Sequence, residues 1–417
     1  MKSKSDKRVL IENTISIAIT QILTYVMPLI SLPYLSRVLG VEKFGLVFWA
    51  QACIQYFMLI TEYGFNWSAS REISIAKNDQ NKISEIFNSV MGVKFILICI
   101  CFIILSILIF FVPKFHKEWI LFYLTFFMVI GNAIYPVWYF QGIEHMKYIT
   151  FLKIVSQSIF LILIFVFIKN PENYLYVALL NSLGFMIAGV ISIISAQKRF
   201  GLKLYLPTWI AVKKEFKNSF EYFTANIANT IYTNTNSFIL GIVASPLLVG
   251  YYVAAEKIFW AIHMLTSPIA TAIYPQISKS KNIKLYKKIF YPTIFAMFLI
   301  SVFVYILSKQ IILIFYGNEM LEAYKILRIF CITVLFSSIS GLIGYPLLGA
   351  MGYSKVVNRS LPVAALVHII MLSTLYFFNI LDVLSIAYLT ILPYTIMLVI
   401  RILGIIKYNL WNEVKGE

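Results

Sequence analysis

The side chains able to do chemistry in this sequence are polar ones set inside apolar stretches. The most polar of these stretches is Ser219 to Phe238, SFEYFTANIANTIYTNTNSF, which holds four asparagines and four threonines. At about 100° per residue, Ser219, Tyr222, Asn226, Asn229, Thr230, Thr233, Asn236 and Ser237 share one helix face, away from Phe220, Phe223, Ile227 and Ile231. Amides and hydroxyls are costly to place in hydrocarbon, so this face needs either partner helices or a water-filled cavity. A second helical pattern puts Tyr252, Glu256, Trp260, His263 and Ser267 on one face, with Lys257 pointing elsewhere. A carboxylate and an imidazole two turns apart can couple transport to protons, and can equally be a satisfied structural pair. Lys94, Lys153 and Arg401 are each set within about two turns of the end of an apolar run, so they are either functional cations or side chains that snorkel to the headgroups. Glu62 and Glu221 lie near the same edge. His368, alone in its run, reads as a packed core histidine.

Other chemistry is excluded by what the chain lacks. Its three aspartates, Asp6, Asp79 and Asp382, all fall in termini or loops, so no paired-aspartate metal site exists of the sort a lipid-dependent glycosyltransferase uses. No glycine-rich loop followed by lysine is present to cradle a nucleotide phosphate. Cys53, Cys99, Cys101 and Cys331 sit in apolar runs and read as small core residues, without a disulfide or metal spacing. The pattern implies no cofactor, no metal and no enzyme.

The elements that must position these groups are transmembrane helices. Hydrophobic residues make up 60% of the 417 and charged residues 13%, outside the range of ordinary soluble domains. Long continuous apolar runs, in place of short alternating strands, select helices over a barrel. A window of about 20 residues gives about twelve spans, at 13–36, 44–65, 88–112, 119–141, 148–168, 174–196, 219–243, 249–276, 288–308, 323–349, 356–378 and 384–407. The expected fold is therefore an all-α integral membrane protein.

Topology explains most of the formal charge of +17. The N-terminus, even-numbered loops and C-terminus hold 23 Lys and Arg against 8 on the other side, which places both termini in the cytoplasm. The basic charge is spread over every cytoplasmic loop and forms no groove for nucleic acid. The basic connection 197–217, QKRFGLKLYLPTWIAVKKEFK, divides six spans from six and can also lie on the cytoplasmic leaflet. Two lobes follow, 1–217 with this linker and 218–417. Setting Gly45 against Gly250, an offset of 205, pairs Gln21 with Asn226 and Thr24 with Asn229. The first span has its own polar stripe, including Thr20, Gln21 and Thr24, so the first helix of each half is the polar one. Two stripes in corresponding positions suit a shared cavity near the bilayer midplane; either stripe alone could be interhelical glue.

Several stretches carry a resemblance. LISLPYLSRVLGVEKFGLVFWAQ and EYGFNWSASREISIAKND, then YPVWYFQGIEHMKYIT, GYYVAAEKIFWAI with its following PQIS, and LRIF with GYPLLGAMGYSK resemble the polysaccharide flippases of the multidrug/oligosaccharidyl-lipid/polysaccharide exporter superfamily, closest to the O-antigen type. The chain departs from that pattern with Gly40-Val41-Glu42 for Gly-Pro-Glu and Glu62-Tyr63-Gly64 for acidic-Leu-Gly, neither of which removes a charge. The resemblance implies a MATE-like V-shaped transporter of two pseudo-symmetric six-helix lobes in a bacterial cytoplasmic (inner) membrane. It implies a polyprenyl-pyrophosphate-linked oligosaccharide as cargo, moved from the cytoplasmic to the periplasmic leaflet by alternating access, and contact with polysaccharide polymerase and chain-length machinery. On that reading Arg37, Arg71, Lys94 and Lys153 are candidates for the pyrophosphate. Thr20, Gln21, Thr24, Asn226, Asn229, Thr230, Thr233, Asn236 and Trp260 are candidates for the glycan, with Trp49 and Trp138 as further stacking faces. Glu256 and His263 are candidates for ion coupling. The rival readings are a drug or cation exporter of the same superfamily and a membrane polysaccharide polymerase or ligase; the latter needs a large outer loop that this chain does not have.

Overall fold

The computed structural model describes residues 2–77 and 79–411, apart from the side chains of 2–15, 17, 18, 21–23, 25, 26, 225 and 228–233. Every regular element among the described residues is helical. In order these are α1 (Lys2–Glu62), α2 (Phe65–Ile75), α3 (Gln80–Phe111), α4 (Pro113–Lys117), α5 (Trp119–Ile134), α6 (Val137–Gly142), α7 (Met146–Phe167), α8 (Tyr174–Phe200) and α9 (Trp209–Val243). They continue as α10 (Pro246–His263), α11 (Ser267–Ser280), α12 (Ile283–Ile306), α13 (Ser308–Tyr316), α14 (Ala323–Ile343), α15 (Ser354–Phe377), α16 (Val383–Leu389) and α17 (Ile391–Lys407).

Among the described residues nine stretches are long and apolar enough to cross a membrane. They account for spans 2 to 6 and 9 to 12 of the sequence reading. The first span is fused with the second in α1, which bends at Gly40, where φ 69° and ψ 171° leave the helical region. The seventh is α9, whose amides keep it below the apolar threshold. The eighth is broken into α10 and α11 by a 3-10 turn at Met264–Thr266. The bilayer-facing surfaces are what the composition requires: Phe95, Phe110, Phe111, Phe295, Phe303 and Phe377 all stand exposed on long helices. Cys99 is exposed on α3 as well, which corrects its reading as a core residue; Cys53, Cys101 and Cys331 are buried.

Two of the three aspartates prove to be helix caps. Asp79 accepts from the backbone N–H of Lys82 at 3.0 Å to start α3, and Asp382 accepts from that of Ser385 at 2.7 Å to start α16. Each satisfies a donor that the first turn of a helix leaves open.

The contacts divide the chain into two compact units, the first comprising Met1–Leu39 and Val47–Thr230, the second Gly40–Leu46 and Ile231–Glu417. The chain thus passes from one unit to the other inside α9, thirteen residues beyond the 217/218 boundary drawn from the sequence. In the first unit Phe65, Phe87, Trp138, Tyr139 and Phe140 form the core. The second is centred on Ile277, Tyr286, Leu347 and Leu348. Within the second unit Gly45 and Gly250, the positions paired by the offset of 205, pack against each other. A Cβ on Gly45 would lie 1.9 Å from the Pro246 carbonyl oxygen, and one on Gly250 2.6 Å from that of Val41.

Candidate functional site

In the first unit the cations differ sharply in surroundings. Arg37 and Arg71 are exposed. Lys153, on α7, is half-buried with Nζ 5.6 Å from the centre of the Phe185 ring. Lys94, on α3, is only 3% exposed and its Nζ donates to the Ala133 carbonyl at 3.3 Å. Ala133 lies in the last turn of α5, just before the chain breaks at Pro136, where carbonyls lose their helical partners. A cation placed there bonds an open carbonyl and meets the negative end of the helix dipole. Lys94 therefore does not snorkel.

The stripe of the first span is partly tied to other protein groups. The Thr20 hydroxyl lies 2.8 Å from that of Thr150 on α7 and donates to the Ser16 carbonyl at 2.8 Å. Thr24 donates back to the Thr20 carbonyl at 2.8 Å. Thr20 is thus a bond between helices, and the Gln21 side chain lies outside the described residues. Trp49 and Trp138 are corrected by the structure: both are buried, Trp49 with ring centres of Phe115 and Phe122 at 5.1 and 5.0 Å, Trp138 with that of Phe87 at 5.2 Å. Neither offers a face to a sugar.

The stripe of α9 is shared out by the division of the chain. Asn226 is half-buried in the first unit, while the side chains of Asn229, Thr230 and Thr233 lie outside the described residues. In the second unit Asn236 is buried, and its Oδ1 lies 3.0 Å from Nε2 of His368 on α15. That oxygen can only accept, so Nε2 carries the proton. Ser237, one residue on, donates to Glu256 Oε2 on α10 at 3.0 Å. Seven residues along α10, His263 Nδ1 lies 2.9 Å from the Ser337 hydroxyl on α14, and its ring stacks on Phe259 at 5.7 Å. Trp260 is half-buried beside it, with ring centres 5.5 Å apart.

The α10 face read from the sequence therefore joins α9 and α14 through polar pairs, and Glu256 and His263 each have a separate hydroxyl partner. His368 is the buried histidine that the sequence reading expects, but its partner was not legible: one imidazole on an apolar run gives no sign that an amide will meet it across 132 residues. For Arg401, read as a functional cation or a snorkelling side chain, the structure supplies buried partners instead. That residue is 6% exposed, and its guanidinium donates to the Ser340 carbonyl at 2.6 Å, the Ser340 hydroxyl at 3.0 Å and the Ser360 hydroxyl at 3.2 Å. It bonds α14 where that helix widens into the π turn Gly344–Gly349, so the snorkelling alternative fails here too.

Against known proteins, the profile of the family described as polysaccharide biosynthesis protein matches residues 10–281, well over half the chain. The chain belongs to the polysaccharide biosynthesis protein family. Its relatives include a protein of Escherichia coli (strain K12) provisionally named as an O-antigen transporter, 30% identical over 276 residues that make up 66% of each chain. A protein of Shigella dysenteriae with the same provisional name is 27% identical over 83% of this chain and 88% of its own. Among solved structures, the lipid II flippase MurJ in an inward closed conformation superposes with a TM-score of 0.74 over 96% of this chain and 90% of that one, at 15% identity. An inward-facing multidrug resistance MATE family transporter of the MOP superfamily superposes with a TM-score of 0.68, covering 97% of this chain and 100% of that one, at 13% identity. At such identities the likeness shows the fold alone: an all-α transporter fold.

Two stretches quoted for the resemblance acquire physical roles in this family member. In YPVWYFQGIEHMKYIT the break between α5 and α6 is held by Tyr135, whose hydroxyl donates to the Ile149 carbonyl on α7 at 2.8 Å, and Glu144 pairs with Lys77 at 2.6 Å. In EYGFNWSASREISIAKND, Ser68 on α2 meets Ser219 on α9 at 2.7 Å, both buried, and Tyr63 stacks on Phe216 and Phe223 at 4.6 Å each.

Proposed function

We propose that this protein is a flippase that carries a polyprenyl-pyrophosphate-linked oligosaccharide, an O-antigen or similar repeat unit, from the cytoplasmic to the periplasmic leaflet by alternating access. The observation that carries the reading is the family match over residues 10–281, supported by two relatives named for O-antigen transport. The fold itself is common to a lipid II flippase and multidrug transporters and does not choose between cargoes. The site is inner-membrane, with both termini cytoplasmic, and passes its product to polymerising and chain-length machinery. It requires no cofactor.

The physics of such a cargo assigns the roles. The glycan needs hydroxyl and amide partners, a role for Asn226, Asn229, Thr230 and Thr233 on α9 and Gln21 and Thr24 on α1, with the half-buried Trp260 as a stacking face. Asn236 and Thr20 join them only where the bonds to His368 and Thr150 open during the cycle. The pyrophosphate needs cations. Arg37, Arg71, Lys94 and Lys153 fill that role, and exposure puts Arg71 first, because an exposed guanidinium meets a headgroup without breaking an existing buried bond. Glu256 and His263 couple the cycle to protons, each taking up one proton in one state and releasing it in the other while its hydroxyl partner, Ser237 or Ser337, turns to accept or donate. The prenyl tail stays in lipid, so the protein lowers only the cost of moving the headgroup.

The test is complementation in a strain deleted for its own flippase. Arg71→Ala is expected to reduce surface polysaccharide at least about tenfold at normal expression, the loss of one charge-assisted contact, while Arg71→Lys retains part. Full polysaccharide with Arg71→Ala, and likewise with Lys153→Ala, would sink the pyrophosphate assignment.

A further inference from the structure

The connection between the sixth span and α9 is fastened to the first unit by side chains that the transport reading does not use. Asn88 on α3 donates to the Lys203 carbonyl at 2.8 Å and accepts from the Tyr205 N–H at 3.2 Å, and Gln80 donates to the Phe200 carbonyl at 2.7 Å. At the start of α9, Asn218 donates to Glu72 Oε1 on α2 at 3.2 Å, one residue before the Ser219–Ser68 pair. Between these lies Glu215. It is 4% exposed, and its Oε2 has no hydrogen-bond donor. Asn218, one turn further along α9, bonds the Glu72 carboxylate, which brings that second carboxyl beside Glu215.

A buried carboxylate is costly to keep ionised beside a second, half-buried one, and neither has a donor to give the other. The nearby cations do not resolve this. Lys82 on α3 pairs with Glu85 at 2.7 Å, and Lys214 on α9 is exposed. A proton does resolve it: on Glu215 it turns the unpartnered oxygen into an O–H that donates to Glu72, a short charge-assisted bond, while Glu72 keeps its bond from Asn218.

We infer that Glu215 and Glu72 form a proton-binding site on the first unit, in which one shared proton fastens the start of α9 to α2 and its loss weakens that attachment. Burial foremost, and the charge of Glu72 next, push the Glu215 carboxyl up from its ordinary 4.5 to about 7, against the lowering pull of Lys214 and Lys82. Because the folded value is raised, the proton's contribution to stability is complete below the unfolded value and is lost as pH rises through about 7. The site lies before the seventh span begins, and α9 is the helix in which the chain leaves the first unit. It therefore ties the pH on that side of the membrane, the cytoplasm in the proposed topology, to how firmly that helix is held. The inference does not rest on the identity of the cargo.

Thermal unfolding of the purified full-length protein in detergent tests it directly. Glu215→Gln, which copies the protonated form, is expected to melt with the wild type near pH 5 and on the order of 2 °C above it near pH 8. In a Glu72→Gln background the same replacement should show a smaller pH-dependent difference, and the exposed Glu221→Gln none. A Glu215→Gln offset that is the same at every pH, or one that Glu72→Gln leaves unchanged, overturns the site. Should Glu215→Gln fail to fold, Glu72→Gln alone decides: the stability lost between about pH 4.5 and 7 must shrink, and its persistence in full overturns the proposal.

Discussion

Asn236 and His368 show how a single pair changes the meaning of a stripe. The amide oxygen and the Nε2 proton satisfy each other across α9 and α15, so at this position the α9 face is joined to another helix. Removing the ring by His368→Ala leaves a buried amide oxygen without a donor and opens a cavity, at an expected cost of about 2–4 kcal/mol. His368→Gln, which keeps an N–H near the same place, should recover part. Thermal unfolding of the solubilised protein measures both, and an Ala variant as stable as the wild type would show that the pair contributes nothing. Glu256 offers a complementary prediction about function. Glu256→Gln keeps a partner for Ser237 and removes only the titration, so it should fold normally but lose the dependence of flipping on a proton gradient in vesicles. Equal flipping by both proteins at every imposed gradient would end the coupling role. The sequence carried Glu256 and His263 because their spacing fits one helix face. It could not carry their partners Ser237 and Ser337, which come from other helices, nor the Ala133 carbonyl that holds Lys94 buried in place of a snorkelling path.

At the scale of the element, most spans were legible because a continuous apolar run has few other solutions in lipid. Three further spans drawn from the sequence are not separate long apolar helices among the described residues, each for a local cause: α9 is too polar, α10 and α11 are separated by a 3-10 turn, and α1 runs through its bend without a loop. The crossing at Gly45 and Gly250 is where an element-level prediction is sharpest. Their backbones approach so closely that a methyl on Gly45 would overlap the Pro246 carbonyl at 1.9 Å. Gly45→Ala should therefore destabilise the protein by about 1–3 kcal/mol through overpacking, despite alanine's better helix propensity. Gly341→Ala is the matched control: nothing lies within 4 Å of the added carbon, so propensity alone should act, a gain of up to about 1 kcal/mol. If the two variants melt together, the close approach is not a constraint.

For the whole molecule, the charge distribution makes the strongest claim. The 23 Lys and Arg on one side against 8 on the other are counted from the loops between the twelve expected spans. The fusion of the first two spans in α1 is compatible with the count: the bend at Gly40 falls between them, beside Arg37 and Lys43, which the proposed topology sets opposite the basic N-terminus. The polarity of α9 could have disturbed it. Were α9 not a span, every later loop would exchange sides, and the basic segment around Lys279 to Lys288 would face outward together with Lys355 and Arg359, against the positive-inside tendency. Reporter fusions separate the two arrangements. With α9 crossing, reporters in the 201–208 connection, after Lys281 and at the C-terminus should all report cytoplasm, and those after Lys169 and Lys309 the opposite side. A reporter after Lys281 on the outer side, with the one at 201–208 still cytoplasmic, would remove α9 from the membrane. It would take with it the glycan-binding role of its amides, since a helix lying outside the bilayer has no need of a polar wall within it.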